Sequence, residues 1–412
     1  MNPTSPPPSL AASLPETVQF LSQLIAFPST PGQEQEAFRF LETAFRRIGA
    51  EVERIPLTNA LRDDPDYSTP IPDLSYDGRF NLRIRRRGTG QARPFLLNTH
   101  VDVVPPSEDM DAPWNACEHE GRLYGRGACD AKGQVAVIYL LFLALERSRI
   151  PLPGDLVAHL VVEEENGGNG SLAMVRRGET ASGCLVLEPT EQRVMTAIRG
   201  AIWFRLLFQG KAGHSGQAGQ TRSALLMARD AMAALETYHQ NLLNRSRGFP
   251  LFDPYPNPMP LTFGRLEAGN WPASAPSRAC LEGVLGFLPN TTRDHVCDEL
   301  KSVLDAVPSL TGRFSLSFLY RHNCSVLDPD HPLPVQLLEA SAACGRPTHA
   351  AGMTASCDAC YYRESLGLPT VVWGPGSLAV AHSRDEHILK QEIVQAAETL
   401  LTFLPRYMES CP

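Results

Sequence analysis

From 34 to 48 the apolar residues Ala37, Phe38, Leu41, Ala44, Phe45 and Ile48 are spaced so that they share one helical face. Gly49 then supplies the stop. Short apolar runs with extended character follow at 51–55, 80–85 and 94–97. The stretch GQVAVIYLLFLALER is apolar all round, so it predicts a helix enclosed on every side. Further short strands are predicted at 156–162 and 184–187. Strand–helix–strand alternation implies an α/β fold, a mostly parallel sheet covered by helices on both faces.

The pattern changes near Met195. TAIRGAIWFRLLFQG, ACLEGVLGFL and RFSLSFLY read as strands, and SALLMARDAMAALETYHQNLL and DHVCDELKSVLDAV as helices. They predict a compact α+β unit over 196–318, inserted into a larger domain formed by 1–195 and 319–412. PTVVWGPG predicts a strand and 390–404 a closing helix. The Pro-rich GFPLFDPYPNPMP predicts a long loop facing a substrate or an interface.

A chain of 412 residues is too long for one small core, which agrees with two domains. The 37 Lys+Arg against 45 Asp+Glu leave a net charge of −8, which argues against nucleic acid as a partner. The basic cluster Arg83, Arg85, Arg86 and Arg87 alternates like a strand and is expected at a solvated sheet edge. MNPTSPPPSLAAS has neither a basic segment nor an apolar core, so it reads as a floppy lead-in rather than a secretory signal. The longest apolar run, 135–145, is too short to span a bilayer, so no membrane association is expected. Ten cysteines show no framework spacing, which suits reduced thiols in a cytoplasm. Cys357 and Cys360 form a C-x-x-C pair, with no second pair to complete a zinc site.

Chemistry-bearing residues recur where strands end. FLLNTHVDVVPP presents His100 and Asp102, and LYGRGACDAKGQ presents Asp130 in a glycine-flanked turn. VVEEENGG presents Glu163, Glu164 and Glu165; CLVLEPT presents Glu188; VAHSRDEH presents His382 and Glu386. In open parallel sheets, ligands bind at the carboxyl ends of strands. Two histidines and several carboxylates buried together make a costly charge cluster unless divalent cations neutralise it. Mixed imidazole and carboxylate donors suit zinc, and also cobalt or manganese.

In this order and with these flanks, the residues resemble the dizinc amide hydrolases typified by acetylornithine deacetylase and succinyl-diaminopimelate desuccinylase. The resemblance spans about 16–403 and rests on NTHVDVVP, LYGRGACDAKG, EEENGGNGS, LEPT, GKAGHSG and GPGSLAVAHSRDE. It implies two divalent metal ions per chain. His100 and Glu188 would bind one, Glu165 and His382 the other, and Asp130 would bridge them. Asp102 would orient His100. Glu164 would be the general base on a metal-bridging water, and Glu163 would only support the turn. The inserted unit would be a lid and dimerisation domain, with His214 reaching the partner's active site in a homodimer to stabilise the oxyanion. The expected reaction is hydrolysis of a small N-acyl amine or N-acyl amino acid. The alternative is a metallo-exopeptidase, a carboxypeptidase or dipeptidase using the same centre. A protein that binds but has lost catalysis is disfavoured, because the base and all five metal ligands are present.

The chain departs from the resemblance in one informative place. Many relatives carry an Arg late in the lid that holds the substrate carboxylate; here the matching strand is EGVLGFLPN and Gly286 stands there. A serine-hydrolase reading of His214, Ser215 and Gly216 fails, since the flanks lack G-x-S-x-G.

Overall fold

The all-apolar stretch forms the helix Lys132–Arg147, in which Val135 through Leu145 are each at most 4% exposed. The protein is seen as a computed structural model describing residues 8–216 and 219–410. The helix packs against Pro8–Ile25, Lys390–Ser410 and the large sheet. That sheet has nine strands. Glu51–Pro56 and Phe80–Arg86 lie at one side, antiparallel to each other, with Phe80–Arg86 antiparallel to Gly154–Val161. Gly154–Val161, Ala92–His100, Cys184–Val186 and Thr370–Val372 then run parallel.

Side-chain alternation along these central strands shows why they read as continuous apolar runs. Phe95, Leu97, Ala158 and Leu185 point into one core, with Val135 to Leu145. Leu96, Val157, Cys184 and Val186 point into the other, with Leu172, Val175 and Tyr362. Both faces are covered, so neither phase of the period-two pattern can be polar.

A second, antiparallel sheet is ordered Leu261–Ala268, Arg278–Phe287, Gly200–Gln209, Phe314–His322. Ile202, Phe204, Leu206 and Phe208 alternate into a separate core with the helices Ala224–Arg245 and Arg293–Asp305. GFPLFDPYPNPMP contributes Phe252 and Met259 to that core, and Tyr255 accepts a hydrogen bond from Arg193 Nη1 of the larger unit at 3.2 Å.

Two expectations need correction. The basic cluster is not at an edge: Phe80–Arg86 is flanked on both sides. Its arginines are instead paired, Arg83 with Glu179, Arg85 and Arg87 with Glu51, and Arg86 with Glu146. The lead-in is helical from Pro8, because Leu10, Phe20, Leu21 and Leu24 seat one face in the core; residues 1–7 of the expected floppy segment lie outside the described residues. No helix of the described residues is long and apolar enough to cross a membrane.

Leu140, wholly enclosed in the central helix, tests this packing. Leu140→Ala is expected to lower stability by about 2–5 kcal/mol, read from the shift of the urea midpoint. A loss below about 1 kcal/mol would mean the helix is not enclosed as described.

Candidate metal centre

Parallel pairing puts the carboxyl ends of the central strands side by side. His100 ends Ala92–His100. Glu163, Glu164 and Glu165 follow Gly154–Val161, Glu188 follows Cys184–Val186, and His382 lies in the segment after Thr370–Val372. Asp130 stands two residues before the central helix.

These side chains converge. His100 Nε2 is 3.0 Å from Asp130 Oδ1 and 3.9 Å from Glu188 Oε2. His382 Nε2 is 3.0 Å from Glu165 Oε1 and 3.3 Å from Asp130 Oδ2. Asp130 therefore turns one oxygen to each histidine. Two donors on one tetrahedral zinc ion, each about 2.0–2.2 Å away, stand roughly 3.4 Å apart, so these separations fit two ions sharing Asp130. Donor atoms of His100, Asp130 and Glu165 all lie within 4.8 Å of one another. Glu188 Oε1 is buried without a hydrogen-bond partner, as an oxygen awaiting a cation is.

Asp102 orients more than the imidazole. Its backbone carbonyl accepts from His100 Nδ1 at 2.9 Å, closer than its carboxylate at 3.6 Å. The carboxylate instead accepts from the backbone N–H groups of Glu164 at 3.3 Å and Glu165 at 3.1 Å. It thus aims the glutamate turn as well as the histidine.

The three glutamates have three environments. Glu163 is fully buried, with a left-handed φ of 66°. Its carboxylate accepts from Arg79, from Tyr76 Oη at 2.9 Å and from Asn169 Nδ2 at 2.8 Å. Arg79 also holds Glu34 at 2.7 Å, and burial pushes Glu34 up to about 7 despite that partner. Glu165 faces His382. Glu164 is half-buried and its carboxylate has no hydrogen-bond partner among the described residues. Gly168, at φ 70°, completes the turn; a Cβ there would lie 2.4 Å from the Tyr361 ring and 2.5 Å from Asp358 Oδ1.

Without cations the cluster is electrostatically strained. Burial pushes Glu164, Glu165 and Glu188 above the usual carboxylate range. Burial disfavours charged His100 and His382 too, but hydrogen bonds to carboxylates outweigh it. His100 rises well above its ordinary value, and His382 rises to about 10. Asp130 is likewise penalised by burial, yet both histidines hold it below its usual value.

His214 is not brought to this cluster. It lies exposed on a short ribbon, Gly213–His214 against Ser274–Ala275, where its Nδ1 accepts from Gly216 N at 3.1 Å. Cys357 and Cys360 are buried and free, and burial pushes both thiols up, away from redox reactivity.

Sequence reasoning singled out Glu386 without giving it a role and missed its partner Arg126. Glu386 Oε1 accepts from the backbone N–H groups of Cys129 and Asp130, each at 3.1 Å. Its other oxygen pairs with buried Arg126, which also donates to the His382 carbonyl at 3.3 Å. One ion pair thus ties Asp130 to His382. The signal was the four-residue step from His382 to Glu386 beside the arginine of LYGRGACD.

Residues 96–406 match the family model described as Peptidase family M20/M25/M40. The chain is 25% identical over 362 residues to N-formyl-4-amino-5-aminomethyl-2-methylpyrimidine deformylase of Bacillus subtilis, covering 80% of this chain and 83% of that one. It is 26% identical over 385 residues to acetylornithine deacetylase of Erwinia tasmaniensis, covering 92% and 94%. Its fold is similar to that of a di-peptidase from Saccharomyces cerevisiae, with a TM-score of 0.80 at 15% identity over 98% of both chains.

The raised groups predict proton-linked metal binding. Cations compete with protons on His100, His382, Glu165 and Glu188, so zinc binding at pH 7 should release protons. Calorimetry in buffers of different ionisation enthalpy should give buffer-dependent heats; identical heats would contradict the cluster. The sign for stability follows from the same shifts. A raised His382 stabilises the metal-free fold fully below about pH 6.5. That contribution is lost as pH rises through about 10.

Proposed function

The chain belongs to peptidase family M20/M25/M40, hydrolases of amide and peptide C–N bonds, and we propose that it removes the acyl group from a small N-acyl amine or N-acyl amino acid. The observation that carries this reading is the division between adjacent glutamates. Glu165 is engaged by His382, whereas the Glu164 carboxylate stands free beside His100 and Glu188. A general base needs a carboxylate held off the cations yet within their field.

His100, Asp130 and Glu188 would hold one cation, and Asp130, Glu165 and His382 the other. Zinc suits these donors, with cobalt or manganese as substitutes. Bound cations lower the pKa of water and polarise an amide carbonyl. Glu164 takes the proton from the attacking water and passes it to the leaving nitrogen. The C–O bond forms, the C–N bond breaks, and a carboxylic acid and an amine leave. Burial favours this shuttle, because it raises the proton affinity of Glu164 towards that of the groups it serves.

Deacylation is preferred over peptide cleavage because the deformylase and deacetylase resemble most of the chain in sequence, while the di-peptidase likeness concerns fold alone. His214, exposed and bonded only within its own ribbon, would act on the oxyanion across a homodimer formed through the lid, 196–318. The nine described cysteines are all free, which supports a cytoplasmic setting.

The zinc- or cobalt-loaded protein should hydrolyse N-acetyl or N-formyl amines and leave dipeptides intact. Dipeptide cleavage without deacylation would replace this reading with an exopeptidase. Glu164→Gln should keep the metals and lose roughly 10²–10⁴-fold in kcat. A fully active Glu164→Gln would remove Glu164 from the role of base. In verified heterodimers, mixing His214→Ala with Glu164→Gln subunits should restore partial activity; no restoration would count against action across the dimer.

A further inference from the structure

A general base whose carboxylate makes no hydrogen bond is aimed by its backbone alone. Glu164 is such a residue among the described residues, so whatever holds its peptide groups decides where its carboxylate stands. Its N–H donates to the Asp102 carboxylate at 3.3 Å. Its carbonyl accepts from Gly167 N at 3.1 Å, which closes the turn. One end of Glu164 is therefore fixed by Asp102 and the other by Gly167.

Gly167 is fixed in its turn from the second sheet. Its φ is 119°, and a Cβ there would lie 2.2 Å from Ser68 Cβ, so the turn needs glycine. Its carbonyl accepts from Tyr361 Oη at 2.8 Å and from His322 Nε2 at 3.1 Å. Burial lowers His322 to about 4, so the imidazole is neutral, with one donor and one acceptor nitrogen. Nε2 faces a carbonyl, which only accepts, so Nε2 carries the hydrogen and Nδ1 accepts. Nδ1 lies 2.7 Å from Tyr320 Oη, so the Tyr320 hydroxyl donates to it. The Tyr320 oxygen then accepts from Ser356 Oγ at 2.6 Å. Each link has one direction: Ser356 to Tyr320, Tyr320 to His322, His322 to Gly167, and Gly167 to the Glu164 carbonyl.

Tyr320 and His322 are two apart near the end of Phe314–His322, so they project from one face of the strand. Their ring centroids are 4.0 Å apart, and the Tyr320 ring also stacks on Trp203 at 5.3 Å. Both residues are buried, at 4% and 1% exposure. Removing one member of a buried polar chain leaves the next member unsatisfied and free to turn. Loss of the Tyr320 hydroxyl would strand His322 Nδ1, and loss of the imidazole would strand the Gly167 carbonyl on one side.

We propose that Tyr320 and His322 are positioning residues of this hydrolase, holding the Gly167 peptide so that the Glu164 carboxylate is aimed at the attacking water. The inference rests on the reading of Glu164 as the base. The hydrogen bonds of both side chains go to Ser356, to each other, to Tyr361 and to Gly167, none of them a proposed metal ligand. Their loss should therefore fall on the base and spare the metals.

The test follows turnover of an N-acetyl or N-formyl amine by the metal-loaded protein; a dipeptide serves equally if that is what is cleaved, since the base is common to both reactions. Tyr320→Phe, which removes one hydroxyl, should lower kcat by roughly tenfold, with KM within about threefold and both metals retained. His322→Leu should lower kcat by roughly 10–100-fold. His322→Gln, whose amide N–H stands near the place of Nε2, should recover part of that loss. Action through the base shows as non-additivity. In a Glu164→Gln background, followed in single turnovers with excess protein, His322→Leu should change the residual rate by less than about twofold. Additive losses, or a loss that falls on KM or on metal content, would overturn the proposal. A Tyr320→Phe variant with the wild-type kcat would overturn it too, and decides the matter if His322→Leu does not fold. An inactive Glu164→Gln with additive His322→Leu rejects this inference alone. A fully active Glu164→Gln rejects the base reading, and the inference falls with it.

Discussion

Asp130 turns one oxygen to His100 and the other to His382, and the rest of the centre is arranged around that sharing. A carboxylate in this position draws two donor groups together from distant parts of the chain. It also brings Glu165 and Glu188 into a region where burial penalises every negative charge. The arrangement is sustainable when positive charge enters it, and the two histidines supply that only partly. Divalent cations would complete it, reversing the penalty on each carboxylate they touch. The supports are consistent with such a load. Glu386 and Arg126 hold the backbones of Asp130 and His382 in one frame, and Asp102 does the same for His100 and the glutamate turn.

The glutamate turn is also where the two sheets meet. His322, at the end of a strand of the second sheet, is kept neutral by burial, which lowers its pKa to about 4. Its Nε2 lies 3.1 Å from the Gly167 carbonyl, which also accepts from Tyr361 Oη at 2.8 Å. Ser68 bonds Asn169 from the other side, and the neighbouring Thr69 N donates to the Leu319 carbonyl. The turn bearing Glu164 is therefore braced by both units. Displacement of the second sheet would be felt at the proposed base through packed side chains rather than through a flexible linker.

Much of this was legible in the sequence because burial leaves a pattern. The central helix and parallel strands are enclosed on both sides, so nearly every position had to be apolar. The strand-end ligands stood out because acids and histidines interrupt those runs abruptly. The strand Leu261–Ala268 was missed for the opposite reason: it is a sheet edge with mostly exposed side chains, and its pattern carries little apolar signal. The arginine cluster was misplaced because its partners, Glu179, Glu51 and Glu146, come from distant segments that local alternation cannot reveal. The Arg79 and Arg126 ion pairs were hidden likewise, since each bridges long sequence separations.

The central claim is that this cluster is built for two cations sharing Asp130. Anomalous diffraction from crystals of the zinc-loaded protein tests it most directly. The account predicts two peaks, one among His100, Asp130 and Glu188 and one among His382, Asp130 and Glu165, with Glu164 bound to neither. A single peak, or peaks away from Asp130, would contradict it.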